Sequence, residues 1–289
     1  MNKVGIYFAF WTHDWAADYL LYLDKVSRLG FDILEVGSGA VLEMPKDKQR
    51  DLKNAAQDKG VELTYCIGFT ADKDMASKDE TVRRNGIEYA KKTIEMIGFM
   101  EGNVFGGINY SSWPGVLNEG IRDKRPYLDR SIAGIKEVIK TAEDCGVLYC
   151  LEVVNRFEQY LINTAAEGVA YIDEVGSPNL KLLLDVFHMN IEEDDMTQAI
   201  ITAGDKLGHF HIGETNRRPP GQGRMPWKEI FGALKSIGYS GRIVMEPFVM
   251  MGGEVGRDIK VWRELNPEKS EELLDAQAKE ALSFVRSMI

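Results

Sequence analysis

Apolar positions along this chain fall into two textures that alternate from one end to the other. Leu20 to Leu29 is amphipathic, Gly30 follows, and then comes the short run Phe31-Asp32-Ile33-Leu34-Glu35-Val36. The stretch ending at Lys59 is followed by Gly60 and Val61-Glu62-Leu63-Thr64-Tyr65-Cys66-Ile67. Ile132, Ile135, Val138, Ile139 and Ala142 share one helical face, and Gly146 separates them from the run Val147 to Val154. Ile230, Phe231, Leu234 and Ile237 do the same before Gly238 and Ile243-Val244-Met245. Glycine takes the left-handed conformation that closes a helix. A compact apolar run after it suits a strand buried on both faces.

The pattern predicts eight strands, near residues 4–10, 33–37, 62–68, 103–109, 148–155, 180–186, 207–214 and 241–248. Strands that alternate with helices pair in parallel. Eight such units point to an α/β fold of the (β/α)₈ TIM barrel type, with a doubly wound open sheet as the competitor because it shares the βαβ repeat. No low-complexity segment or Pro/Gly/Ser linker divides the chain, so residues 1–289 are expected to form a single barrel domain. Residues 214–226 and 251–257 are too rich in Gly and Pro for regular structure. They read as loops after the seventh and eighth strands, on the face where barrel enzymes carry their chemistry.

Of the 289 residues 44% are hydrophobic and 28% charged, an ordinary globular composition. A formal net charge of −10 argues against nucleic acid or an anionic membrane as partner. Cys66, Cys145 and Cys150 are odd in number and lack a CxxC spacing, so reduced thiols are expected rather than a disulfide framework or a zinc knuckle. The opening Lys3-Val4-Gly5-Ile6-Tyr7-Phe8, with Asp14 soon after, does not read as a secretory signal, and no run approaches the roughly 20 apolar residues of a membrane span. The expected compartment is the cytoplasm.

Four predicted strands then end in a polar residue set among apolar ones. Leu151-Glu152-Val153, Leu184-Asp185-Val186 and Met245-Glu246-Pro247 place carboxylates where burial is expected, and His209-Phe210-His211 supplies imidazoles. One buried acid is ordinarily satisfied by backbone amides or an arginine. Three acids on neighbouring strands of a barrel meet at a common centre and repel one another unless a cation lies between them. Three oxygen donors with one imidazole form a mostly hard set, which favours Mn²⁺, Mg²⁺ or Co²⁺ over a closed zinc site. His211 is nearer the strand's C-terminal end and is assigned as the ligand, with His209 in a supporting or packing role. Spacing by itself leaves that choice open.

These residues sit in recognisable blocks: Glu152-Val-Val-Asn-Arg-Phe-Glu158, Asp185-Val-Phe-His188, Gly208-His-Phe-His211-Ile-Gly-Glu214-Thr-Asn-Arg217 and Val244-Met-Glu246-Pro-Phe248. In this order they resemble the ketose 3-epimerases, the D-tagatose and D-allulose (psicose) 3-epimerase family of the xylose-isomerase-like superfamily. The resemblance implies a (β/α)₈ barrel with Mn²⁺ or a similar ion on Glu152, Asp185, His211 and Glu246, and sugar contacts from Glu158, His188 and Arg217. Tyr7 and Cys66 fall in the pocket wall where family members differ. Trp15, Trp113 and Phe248 are aromatics that either pack the core or wall off the distal end of a sugar, and the resemblance favours the pocket for Trp113 and Phe248.

The expected reaction is epimerisation at C3 of free ketohexoses (D-tagatose/D-sorbose, D-fructose/D-allulose), through a metal-bound enediolate, with Glu152 and Glu246 exchanging base and acid roles. An aldose–ketose isomerase would exchange the proton at C1 instead. A phosphosugar epimerase would use Arg217, Arg218, Gly221, Gly223 and Arg224 as a phosphate cradle. A metal-dependent phosphodiesterase would want more histidines and a basic face, and a non-catalytic sugar-binding protein would not need paired carboxylates. The family further implies a homo-oligomer, dimer or tetramer.

Overall fold

The computed structural model describes residues 2–117, 120–267 and 270–289. Its strands are β1 (Val4–Tyr7), β2 (Ile33–Gly37), β3 (Glu62–Cys66), β4 (Val104–Gly106), β5 (Leu148–Val153), β6 (Leu180–Asp185), β7 (Leu207–Ile212) and β8 (Arg242–Met245). They pair in parallel in chain order, and β1 also pairs with β8 through Val4↔Ile243, Gly5↔Val244 and Ile6↔Met245. That last pairing closes the barrel and removes the open-sheet alternative.

The helices are α1 (Tyr19–Leu29), α2 (Ser38–Glu43), α3 (Lys46–Lys59), α4 (Glu80–Phe99), α5 (Arg125–Cys145), α6 (Ala165–Val175), α7 (Val186–Glu192), α8 (Met196–Ala203), α9 (Trp227–Ser236), α10 (Gly253–Asp258) and α11 (Glu271–Met288). The glycine punctuation works as the pattern suggests. Gly146, at φ 66°, ends α5 by donating to the Glu143 carbonyl, and Val147 then donates to that of Ala142. The second bond is the reversal that sends the chain directly into β5. No helix among the described residues is long and apolar enough to cross a membrane.

Several strands are shorter than the apolar runs that predict them. The run 4–10 leaves the sheet after Tyr7 as a 3₁₀ turn, Phe8–Trp11, whose four residues stay buried. An apolar run reports burial, not pairing, so it cannot mark where a strand gives way to a buried turn. The main core lies between barrel and helices, where Phe8, Phe10, Tyr19, Tyr149 and Phe210 are fully enclosed. A small separate cluster, Val104, Cys150 and Leu183, packs with Leu148. Gly106 leaves room beside Leu183 and His209: a Cβ there would stand 2.7 Å from Leu183 Cδ1.

The register carries one irregularity with consequences for the site. Leu182 pairs with Leu207 but Leu183 pairs with His209, so Gly208 is an extra residue in β7. A Cβ on Gly208 would meet Lys181 Cβ at 2.5 Å, so only glycine fits this close approach. Beyond the bulge the register settles, placing His211 beside Asp185 and Val244.

Candidate active site

The C-terminal ends of β5 to β8 bring Glu152, Asp185, His211 and Glu246 together, all buried, with one potential ligand atom from each within 4.8 Å of the others. Glu152 is next to last in β5, Asp185 ends β6 and His211 is next to last in β7. Glu246 lies one residue past β8 and is tied there by its own N–H to the Ile212 carbonyl, 2.9 Å.

Each carboxylate has a different surrounding. Asp185 caps α7, where its Oδ1 accepts from the Phe187 N–H at 2.8 Å, and its Oδ2 accepts from Arg217 Nη1 at 2.7 Å. Burial raises its pKa, but Arg217, His188 and His211 outweigh that and bring it down to about 2. Glu246 Oε2 accepts from the same Arg217 nitrogen at 2.9 Å. Burial and the Glu246 charge push Glu152 well above the usual carboxylate range. The cluster thus holds one carboxyl that resists ionising, beside an arginine that stays charged.

His211 Nδ1 faces this cluster, 3.6 Å from Glu246 Oε1 and 3.9 Å from Glu152 Oε1, and has no hydrogen-bond partner. An orphaned buried nitrogen aimed at three carboxylates fits a divalent cation, as does the hard donor set. On its other side His211 Nε2 lies 2.7 Å from Glu35 Oε1, on β2. Glu35 Oε2 also accepts from His209 Nε2 at 2.7 Å and from Thr64 Oγ1 at 2.8 Å. Both histidines therefore face inward, their ring centroids 5.0 Å apart, and only His211 reaches the carboxylate cluster. Burial opposes ionisation of Glu35, yet the two imidazoles hold its pKa well below normal.

Glu35 escaped the sequence reading although it carries the same signal as Glu152, a carboxylate inside the apolar run Ile33-Leu34-Glu35-Val36. Its strand is distant in sequence from β5–β8, and nothing local says that it crosses the barrel to the histidines.

The other expected contacts also line one cavity of about 750 Å³: Tyr7, Cys66, Trp113, Glu158, His188, Arg217 and Phe248, with Glu152 and Glu246 at its wall. Glu158 accepts from Trp113 Nε1 at 2.9 Å and from Asn155 Nδ2 at 3.2 Å. Asn155, a second residue absent from the sequence expectations, aims both its backbone N–H (3.3 Å) and its Nδ2 (2.7 Å) at His188 Nδ1. Because Nδ1 accepts, the hydrogen of the neutral ring sits on Nε2. Burial keeps His188 below its ordinary pKa and so neutral. Arg217 Nη2 lies 3.3 Å from that Nε2, so the guanidinium and the imidazole meet at one point of the site. Trp15 reaches the rim, with its Nε1 donating to Asp258 at 2.9 Å.

Arg217 owes its position to the loop after β7. It adopts φ 62°, uncommon for a bulky residue, with its guanidinium 3.9 Å from the Phe187 ring centroid. Glu214 organises this loop from inside. Its carboxylate accepts from the Gly221 N–H (2.8 Å), the Met225 N–H (3.1 Å) and Trp227 Nε1 (2.9 Å). A phosphate cradle needs free backbone N–H groups. Here the Gly221 and Met225 N–H groups already serve the chain's own carboxylate.

Residues 23–277 match the family described as xylose isomerase-like TIM barrel. Along its length the chain is 46% identical to a D-psicose 3-epimerase of Ruminiclostridium cellulolyticum, covering 99% of this chain and 98% of that one. It is 44% identical to a D-psicose 3-epimerase of Agrobacterium fabrum, with 99% of each covered. A solved structure of D-psicose 3-epimerase with D-tagatose, from Clostridium cellulolyticum, superposes with a TM-score of 0.96 over 99% of both chains at 46% identity.

Proposed function

Since this chain belongs to the xylose isomerase-like TIM barrel family and is a ketose 3-epimerase, we propose that it inverts C3 of free ketohexoses, the D-fructose/D-allulose and D-tagatose/D-sorbose pairs, by two-carboxylate proton transfer. The observation that carries this reading is the placement of Glu152 and Glu246, from strands three apart around the barrel, at one cavity beside His211. The proton alpha to the C2 carbonyl is a weak acid, so its removal needs a positioned base and its return to the opposite face a positioned acid. One glutamate takes the proton from C3 and the other delivers one, and the roles exchange for the reverse reaction.

A divalent ion on Glu152, Asp185, His211 and Glu246, Mn²⁺ by preference with Mg²⁺ or Co²⁺ as alternatives, would supply Lewis acidity toward the sugar's O2 and O3. The paired donors Arg217 Nη2 and His188 Nε2 stabilise the charge that develops on O2. Glu158, held by Trp113 and Asn155, anchors hydroxyls at the O1 end. Tyr7, Cys66, Trp113 and Phe248 form the wall against the rest of the sugar, a largely apolar surface that orients without demanding one configuration.

The three free cysteines support a cytoplasmic enzyme. Assembly into a homo-oligomer, dimer or tetramer, is part of the same reading and rests on the family resemblance. The decisive experiment is isotopic. With D-fructose, D-allulose or D-tagatose in D₂O, wild-type protein loaded with Mn²⁺ should place deuterium at C3, and Glu246→Gln should abolish this. Deuterium at C1 would indicate an aldose–ketose isomerase, and undiminished C3 exchange in Glu246→Gln would remove that residue from the proton path.

A further inference from the structure

We propose that Glu35 is a positioning residue for the ion site: it fixes the tautomer and the ring orientation of His211, and His209 is the second arm of the same clamp. The inference rests on the reading of Glu152, Asp185, His211 and Glu246 as a divalent metal site.

The argument begins with what an ionised carboxylate can do. It accepts hydrogen bonds and donates none. Glu35 is fully enclosed, and its two oxygens face three groups. Thr64 Oγ1 and His209 Nε2 share Oε2, and His211 Nε2 stands 2.7 Å from Oε1. Both histidines must therefore present Nε2–H to it. For His211 this leaves the Nδ1 lone pair bare, and Nδ1 is the atom that faces Glu152 and Glu246. The opposite tautomer would put a hydrogen where the ion belongs. A carboxylate behind a ligating imidazole also raises the basicity of the ring, and loss of such a partner typically weakens metal binding 10–100-fold.

His209 follows from the same geometry. Gly208, the bulge residue, and the two-residue spacing of β7 place both rings on the inner face, where one carboxylate serves both. His209 has no partner at Nδ1, and nothing brings it to the carboxylate cluster. Its contact is Glu35, which it holds through Oε2, the oxygen not facing His211, and Thr64 donates to that same oxygen. With two hydrogen bonds on Oε2 and His211 Nε2 at 2.7 Å from Oε1, the carboxylate has little freedom to rotate away from His211.

Glu35→Gln tests this, because the amide matches the acid in shape but offers one oxygen and one NH₂. It cannot accept from two Nε2–H groups, so one histidine must change tautomer. By titration calorimetry of metal-free protein, the Kd for Mn²⁺ should rise 10–100-fold, with the urea midpoint of the metal-free protein close to wild type. Glu35→Gln/His209→Gln should recover at least threefold of that loss, since the new side chain can accept from the NH₂ and release the oxygen to His211. Damage to packing would instead worsen in the double variant, and that result would overturn the proposal.

A measurement on unmutated protein stands beside these variants. In [¹⁵N]histidine-labelled wild type loaded with Mg²⁺, His211 should carry its hydrogen on Nε2. A hydrogen on Nδ1 would overturn the proposal whatever the variants do. Wild-type uptake of Mn²⁺ with an unchanged Kd in Glu35→Gln would overturn the clamp alone, and a wild type that takes up no Mn²⁺ would overturn the metal reading together with it.

Discussion

Glu152 and Glu246 are the same residue type at one cavity, yet their partners differ. Glu246 shares Arg217 with Asp185, whereas Glu152 has the charges of Glu246 and Asp185 beside it and only the more distant His188 and His211 nitrogens, 3.8 and 3.9 Å from its Oε1, to offset them. In the metal-free protein Glu152 is therefore the carboxyl that holds its proton. Its folded pKa lies above its unfolded value near 4.5, so the folded state binds the extra proton between the two. The associated stability is complete below about pH 4.5 and is lost as pH rises through the folded value. Urea unfolding in EDTA across pH 4–8 should show wild type losing stability relative to Glu152→Gln as pH increases. Parallel curves would contradict this account of Glu152. At this scale the ligand-type residues were legible because a polar residue inside an apolar run is a local signal. Glu35 gave the same signal and was passed over, because its partners are 174 and 176 positions away, a relation that only folding creates.

The loop after β7 shows how an element can look like one device and be another. Arg217, Arg218, Gly221, Gly223 and Arg224 have the composition of an anion-binding loop. Its interior is already filled by Glu214, and a Cβ on Gly223 would stand 2.3 Å from Glu214 Oε2. The same loop turns Arg217 inward, its N–H donating to the Glu214 backbone carbonyl at 2.9 Å while the Glu214 carboxylate holds the loop's far side. Glu214→Ala leaves the Gly221 and Met225 N–H groups and the Trp227 indole without their acceptor. The expected cost is about 3 kcal/mol in urea unfolding, with kcat/KM falling as Arg217 loses its register. A change within about 0.5 kcal/mol would mean an ordinary solvated loop. Strand ends belong to the same scale. Apolar runs predicted β1 through residue 10 and β8 through residue 248, whereas the sheet stops at Tyr7 and Met245. Burial continues past the last ladder bond, so hydropathy could not mark where pairing ends.

Across the whole molecule, the residues proposed to hold an ion are assembled only by folding. Asp185, His211 and the two glutamates come from four strands whose order exists only in the closed barrel. An ion bound there favours the folded state by mass action, by about 2.7 kcal/mol when its free concentration is one hundred times Kd. Mn²⁺ should raise the urea midpoint of wild type accordingly, and most of that gain should vanish in Asp185→Asn. An equal gain in both proteins would place the ion elsewhere. The eight βα units, the parallel barrel and the four residues at the ends of neighbouring strands were determined by sequence, since periodicity, glycine punctuation and buried charge are local properties. The closure of β1 on β8, the placing of His211 and not His209 beside the three carboxylates, the contacts of Glu35 with both imidazoles and the filling of the β7 loop by Glu214 were decided by tertiary structure. Each depends on a distance between residues that are remote or differently turned in the chain, and no local pattern encodes such a distance.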